Sequence, residues 1–143
     1  MTPMNVAVTI WWKAVLINAA LISLGSIFLT GILFVAVFII VLILGFIVTL
    51  PLLPLIGLLV RFHTMLPYGN AARISWLRFM LVLVVCIIYG GFTIVTEDSL
   101  SSPEPVVLLI GSATCIAVVS AVAFSRKIIT QLSDETPFAS NIN

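Results

Sequence analysis

Apolar residues fill this chain in long blocks. No charged residue stands between Lys13 and Arg61. As one helix the 47 residues between them would run about 70 Å at 1.5 Å per residue. A bilayer's hydrocarbon core is about 30 Å thick, so the stretch is too long for one crossing and suits two. The chain must therefore turn inside apolar sequence, and Thr30-Gly31 is the most polar place for it. This predicts spans at 10–29 and 32–60. The second is kinked at 51–54, where Pro51 and Pro54 each remove an amide donor and crowd the preceding turn. A hairpin at those prolines instead would leave an overlong first helix. Two further uncharged runs, Phe79 to Thr96 and Val106 to Ser125, are each close to one bilayer thickness and place spans at 77–96 and 106–126. The acidic segment Glu97-Asp-Ser-Leu-Ser-Ser-Pro-Glu-Pro105 between them has turn chemistry.

The pattern predicts an all-α integral membrane protein, with four transmembrane helices in a compact bundle over 1–127 and a short tail at 128–143. Composition agrees: 62 % of residues are hydrophobic and 8 % charged, mean hydropathy is +1.35, and soluble domains carry about a quarter charged residues. One membrane domain accounts for the length, with no room for a separate soluble domain. The apolar run after Lys13 is too long for a cleaved signal peptide and lacks a small-residue cleavage site near its start, so the first span is expected to be retained.

Charge sets the orientation. Under the four-span layout every basic residue falls on one side: Lys13, then Arg61, Arg73 and Arg78, then Arg126 and Lys127. Glu97, Asp98 and Glu104 fall on the other. The positive-inside bias therefore predicts that both termini are cytoplasmic. Trp11, Trp12 and Trp76 stand beside basic residues at the predicted ends, as headgroup-level anchors do. The net charge of +1 argues against nucleic acid, whose phosphates demand a basic footprint.

Candidate chemistry is sparse. The four spans lack Asp, Glu, Lys, Arg and His in their interiors, where proton relays, intramembrane proteases and voltage sensors keep them. No metal-protease, nucleophile-elbow, phosphate-loop or paired-cysteine motif occurs, and neither a cofactor nor a small-molecule substrate is expected. Cys86 and Cys115 lie in apolar runs and are expected to pack as small hydrophobes. His63, the sole histidine, has no second ligand nearby in sequence and is expected to be a loop or interface residue. Asn18, about five residues inside the first span, is either a hydrogen-bonding link between helices or incidental polarity.

Small residues mark one helix face. Ala113, Ala117 and Ala121 recur every four residues in the last span, with Ser120 beside them. This spacing allows close backbone approach, within one chain, the commoner case, or between copies in a homo-oligomer. The segment Arg61 to Arg78 fixes topology in the plainest reading; as a docking surface it would offer Arg61, His63, Arg73 and Arg78 to a partner or to anionic lipid. In the tail, Arg126 to Leu132 is expected to continue the last helix past the membrane, with Ile128, Ile129 and Leu132 on one side. Thr136-Pro137 then offers a helix-capping pair. The tail either frays or orders against the basic segment or a partner, with Asp134, Glu135 and Phe138 as its recognition residues.

In size, four-span layout and short polar tail the chain resembles small bacterial inner-membrane proteins that protect their host. These are the exclusion proteins of conjugative elements and the immunity proteins against pore-forming toxins. The tail segment Asp134-Glu-Thr-Pro-Phe-Ala-Ser-Asn141 also looks like one found in small bacterial multi-span proteins. The resemblance rests on architecture and carries over no site residues. It implies an inner-membrane location and a non-enzymatic role, recognition of another membrane protein. Two other roles fit the same residues: a small oligomeric or holin-like pore, and an anchor subunit of a larger complex.

Overall fold

The computed structural model describes residues 2–30, 33–96 and 105–134. Among these there is no strand, and six α-helices follow one another: α1 (Pro3–Thr30), α2 (Phe34–Thr49), α3 (Leu53–Met65), α4 (Asn70–Thr96), α5 (Pro105–Phe124) and α6 (Arg126–Asp134). Three stretches are long and apolar enough to cross a membrane: Pro3–Ser26, Phe34–Met65 and Asn70–Gly91. A fourth is counted if Leu109–Phe124 and the bent continuation Arg126–Asp134 form one broken span. The stretch ending at Met65 would be about 48 Å long, well beyond a hydrocarbon core. Its last turns carry Arg61, the charge most costly to hold inside a single crossing.

α1 begins seven residues earlier than the apolar pattern suggests, and the reason is local. Pro3 occupies the first helical position, where a missing N–H costs nothing. The Thr2 hydroxyl accepts from the Asn5 backbone N–H at 3.3 Å, an N-cap. α1 ends at Thr30; Gly31, the other half of the expected turn, is outside the described residues, as are the acidic loop and Thr136-Pro137. At the other kink the prolines act as their chemistry dictates. Leu50–Leu52 forms a 3-10 turn that joins α2 to α3 without reversing the chain.

Two close approaches bind α2 and α3 to α1. A Cβ on Gly45 would stand 3.3 Å from Val15 Cγ1, and one on Gly57 would stand 3.3 Å from Met4 Sδ. The indole N–H of Trp11 donates to Thr49 Oγ1 at 2.8 Å, and that hydroxyl donates in turn to the Gly45 carbonyl. Phe46 lies edge-on to Trp11 and tilted against Trp12. Trp11 is thus a buried pin between helices, and Trp76 packs partly buried against the core. Trp12 is half exposed.

The core sits at one end of the bundle. Val6 and Ile10 of α1, Val60 of α3, Ile74 and Leu77 of α4, Val122 of α5 and Ile129 and Leu132 of α6 form one buried cluster. Away from it the helices turn apolar side chains outward: Val48 is 68 % exposed and Ile87 63 %, and α2 buries no residue at all.

α6 departs from the expectation of a straight extension. The helix bends by 55° between Phe124 and Arg126. Ser125 at the bend is fully buried and keeps its backbone bonded, donating to Ala121 O and Val122 O. Lys13 holds the corner from α1: its Nζ donates to Phe124 O at 3.1 Å and to Ser125 Oγ at 3.2 Å, neutralising the negative end of α5. A straight helix would leave Ile129 and Leu132 outside the core. The bend lays them on it and turns Arg126, Lys127 and Gln131 outward.

Candidate functional site

The basic residues converge on the core end. The chain between α3 and α4 is only the turn 66–69, because Arg61 and His63 belong to the last turns of α3, and Arg73 and Arg78 to the opening turns of α4. The long polar loop expected here is therefore mostly helix. Arg61 is exposed and Arg78 half-buried, while Arg73 is only 8 % exposed and His63 not at all. His63, expected to be a loop or interface residue, lies enclosed in the last turns of α3. α6 packs over the same end, and its Asp134 accepts a long 3.5 Å hydrogen bond from Asn70 Nδ2 at the start of α4. Glu135 and Phe138 lie outside the described residues.

This end is electrostatically unbalanced. Among the described residues all six Lys and Arg face a single carboxylate, Asp134. Lys13 is engaged with α5. Both ring nitrogens of His63 and the Nε atoms of Arg73 and Arg78 are buried without a hydrogen-bond partner, an arrangement that folded proteins otherwise avoid. Burial, with the Arg73 guanidinium adding repulsion, lowers the His63 pKa from 6.5 to about 4. Its imidazole is neutral at physiological pH.

Beside the core lies an open crevice of about 460 Å³, whose lining shares Ile10 and Leu81 with the buried cluster. α1 packs against α2 and α5, and α5 against α4, while no comparable contact joins α2 to α4; α3 meets α4 nearer the core end. The crevice accordingly opens sideways between α2 and α4. Its walls are mainly Leu, Ile and Val, with two polar groups: the Trp11–Thr49 pair already described, and a second that joins side chains from three helices. Tyr89 OH and Thr114 Oγ1 are 3.1 Å apart. Thr114 Oγ1 also stands 2.8 Å from the Ile110 carbonyl and 3.4 Å from Asn18 Oδ1. Asn18 is therefore a link between α1 and α5. Water fills such a crevice only where it finds two to four polar partners, so most of this volume suits apolar matter.

Along α5, Ala117 and Ala121 are fully buried, and Ala113 and Ser120 half-buried, where α5 meets its neighbours in the same chain. Cys86 and Cys115 are free thiols. Thr49, Tyr89, Thr114 and Lys13 carry much of this arrangement. Sequence reasoning missed the first three because a lone hydroxyl in an apolar run does not announce which helix it faces, and it read Lys13 only as a topology charge. Comparisons with protein-family models, curated proteins and solved structures return no match for this chain.

Proposed function

We propose that this chain is a four-span inner-membrane protein that works by recognition, with a non-enzymatic role in which the basic end binds an acidic segment of another membrane protein. The observation carrying this reading is the excess of cations around α3, α4 and α6, with one carboxylate among the described residues to offset them. The Nε atoms of Arg73 and Arg78, buried without partners, add to it, since leaving such donors unmet is costly. The outward apolar faces of α2, α4 and α5 support the membrane location, and the gathering of basic residues at one end supports cytoplasmic termini. Exclusion of a conjugative element or immunity to a toxin is the concrete version of this role, after the resemblance in size and layout. The pore reading is weaker because the small-residue face of α5 is already occupied within the chain.

Photo-cross-linking from Tyr68 in the α3–α4 turn and from Lys127 on α6, in the native host, tests the reading. One and the same partner protein is expected from both positions, with yield falling at least tenfold in an Arg61→Glu, Arg126→Glu double variant. If both positions captured copies of this chain alone, recognition would give way to self-assembly.

A further inference from the structure

We infer that Arg73 anchors a binding site for the phosphate of an anionic phospholipid, at the corner where α3 gives way to α4. The inference rests on the membrane reading above and needs no protein partner; an acidic partner segment at the basic end would displace the lipid.

Among the six Lys and Arg, Arg73 alone is buried, with 8 % of it exposed, whereas Arg61, Arg126 and Lys127 stand in the open. Its Nε is enclosed without a hydrogen-bond partner, and no carboxylate among the described residues pairs with it. Asp134, the one described carboxylate, reaches Asn70 instead. His63 lies close enough to feel the guanidinium charge, yet a neutral imidazole brings no negative charge in return. A cation taken out of water in this way is costly unless an anion pairs with it.

Three observations choose the anion. A helical side chain lies over the turn N-terminal to its own position, so Arg73 covers the start of α4 at Asn70. There a 27-residue helix presents its first N–H groups and the positive end of its dipole, which suit phosphate, and a guanidinium pairs with two phosphate oxygens at once. In the four-span layout the corner falls between the spans at 32–60 and 77–96, at the level of the lipid headgroups. Phe62 and Met65, exposed at the same end of α3, offer acyl chains an apolar surface that free phosphate would not use. The surplus of cations at this end favours a lipid of net negative charge.

The test follows thermal unfolding of the full chain in neutral detergent micelles doped with phosphatidylglycerol or with chain-matched phosphatidylcholine. Phosphatidylglycerol is expected to raise the wild-type melting temperature by about 5 °C over phosphatidylcholine, because a ligand of the folded state alone stabilises it. Arg73→Met removes the unpaired charge. It should melt no lower than the wild type in phosphatidylcholine and should lose the phosphatidylglycerol shift. Lys127→Gln, which removes an exposed cation of the same end, should keep that shift and so separates a site from general attraction to anionic lipid. Full protection of the wild type by millimolar inorganic phosphate would replace the lipid with free phosphate as the ligand. Equal melting in the two lipids, a full shift in Arg73→Met, or lower melting of Arg73→Met in phosphatidylcholine would each overturn the site, the last by showing that the guanidinium is already paired. No partner enters these measurements, so their failure leaves the cross-linking result standing. A chain that stays dissolved without detergent or lipid would instead overturn the membrane reading.

Discussion

His63 shows how much one residue can reveal. It is wholly enclosed and both ring nitrogens lack partners, so the fold accommodates the neutral ring and rejects the cation. Its folded pKa of about 4 lies below the unfolded value of 6.5. The unfolded chain therefore takes up the proton first as pH falls. Stability from this group is complete above about pH 6.5 and is lost progressively down to about pH 4, a change of up to about 3 kcal/mol. Denaturation in detergent at pH 7.5 and pH 4.5 should show this slope, and His63→Leu should flatten it. An unchanged slope in that variant would assign the pH dependence elsewhere. The histidine was visible in the sequence as a solitary residue; its enclosure was not, because the side chains around it come from elements far apart in the chain.

At the scale of elements, legibility tracked how local the cause was. The break at Pro51 and Pro54 could be read directly, since a proline disrupts its own helix wherever it sits. The start of α1 could have been read from Thr2-Pro3, the same capping pair noted at Thr136-Pro137. The bend before α6 could not: no proline or glycine marks Ser125, and the group holding that corner, Lys13, is 112 residues away. The pairing of Asn18 with Thr114, 96 residues apart, was hidden for the same reason. α6 itself is short, and isolated helices of this length are marginal, so its burial must hold it. Leu132→Ala should cost about 3 kcal/mol of unfolding free energy, whereas Lys127→Ala should stay within about 0.5 kcal/mol. Equal effects in denaturant titration would mean that α6 does not depend on its apolar side.

For the whole molecule, helix content and the apolar runs were legible in bulk, because a hydrophobic block of bilayer length imposes itself whatever its neighbours do. The uneven distribution of packing was not legible: the interior is dense in the cluster at the basic end and open in the crevice beside it. If the chain spans a membrane four times, single cysteines at Tyr68 and Gln131, in a background lacking Cys86 and Cys115, should react with an impermeant maleimide only after the membrane is breached. Reaction of both in intact cells would invert the orientation. Reaction of only one would remove the even number of crossings between α4 and α6.

The bend at Ser125 also has a consequence for biogenesis. Ile129 and Leu132 are the last members of the buried cluster in chain order. That cluster closes only when α6 has left the ribosome and folded back, so the bundle cannot complete itself span by span. A chain interrupted before α6 would hold its other five helices yet present an unfinished interior at its basic end.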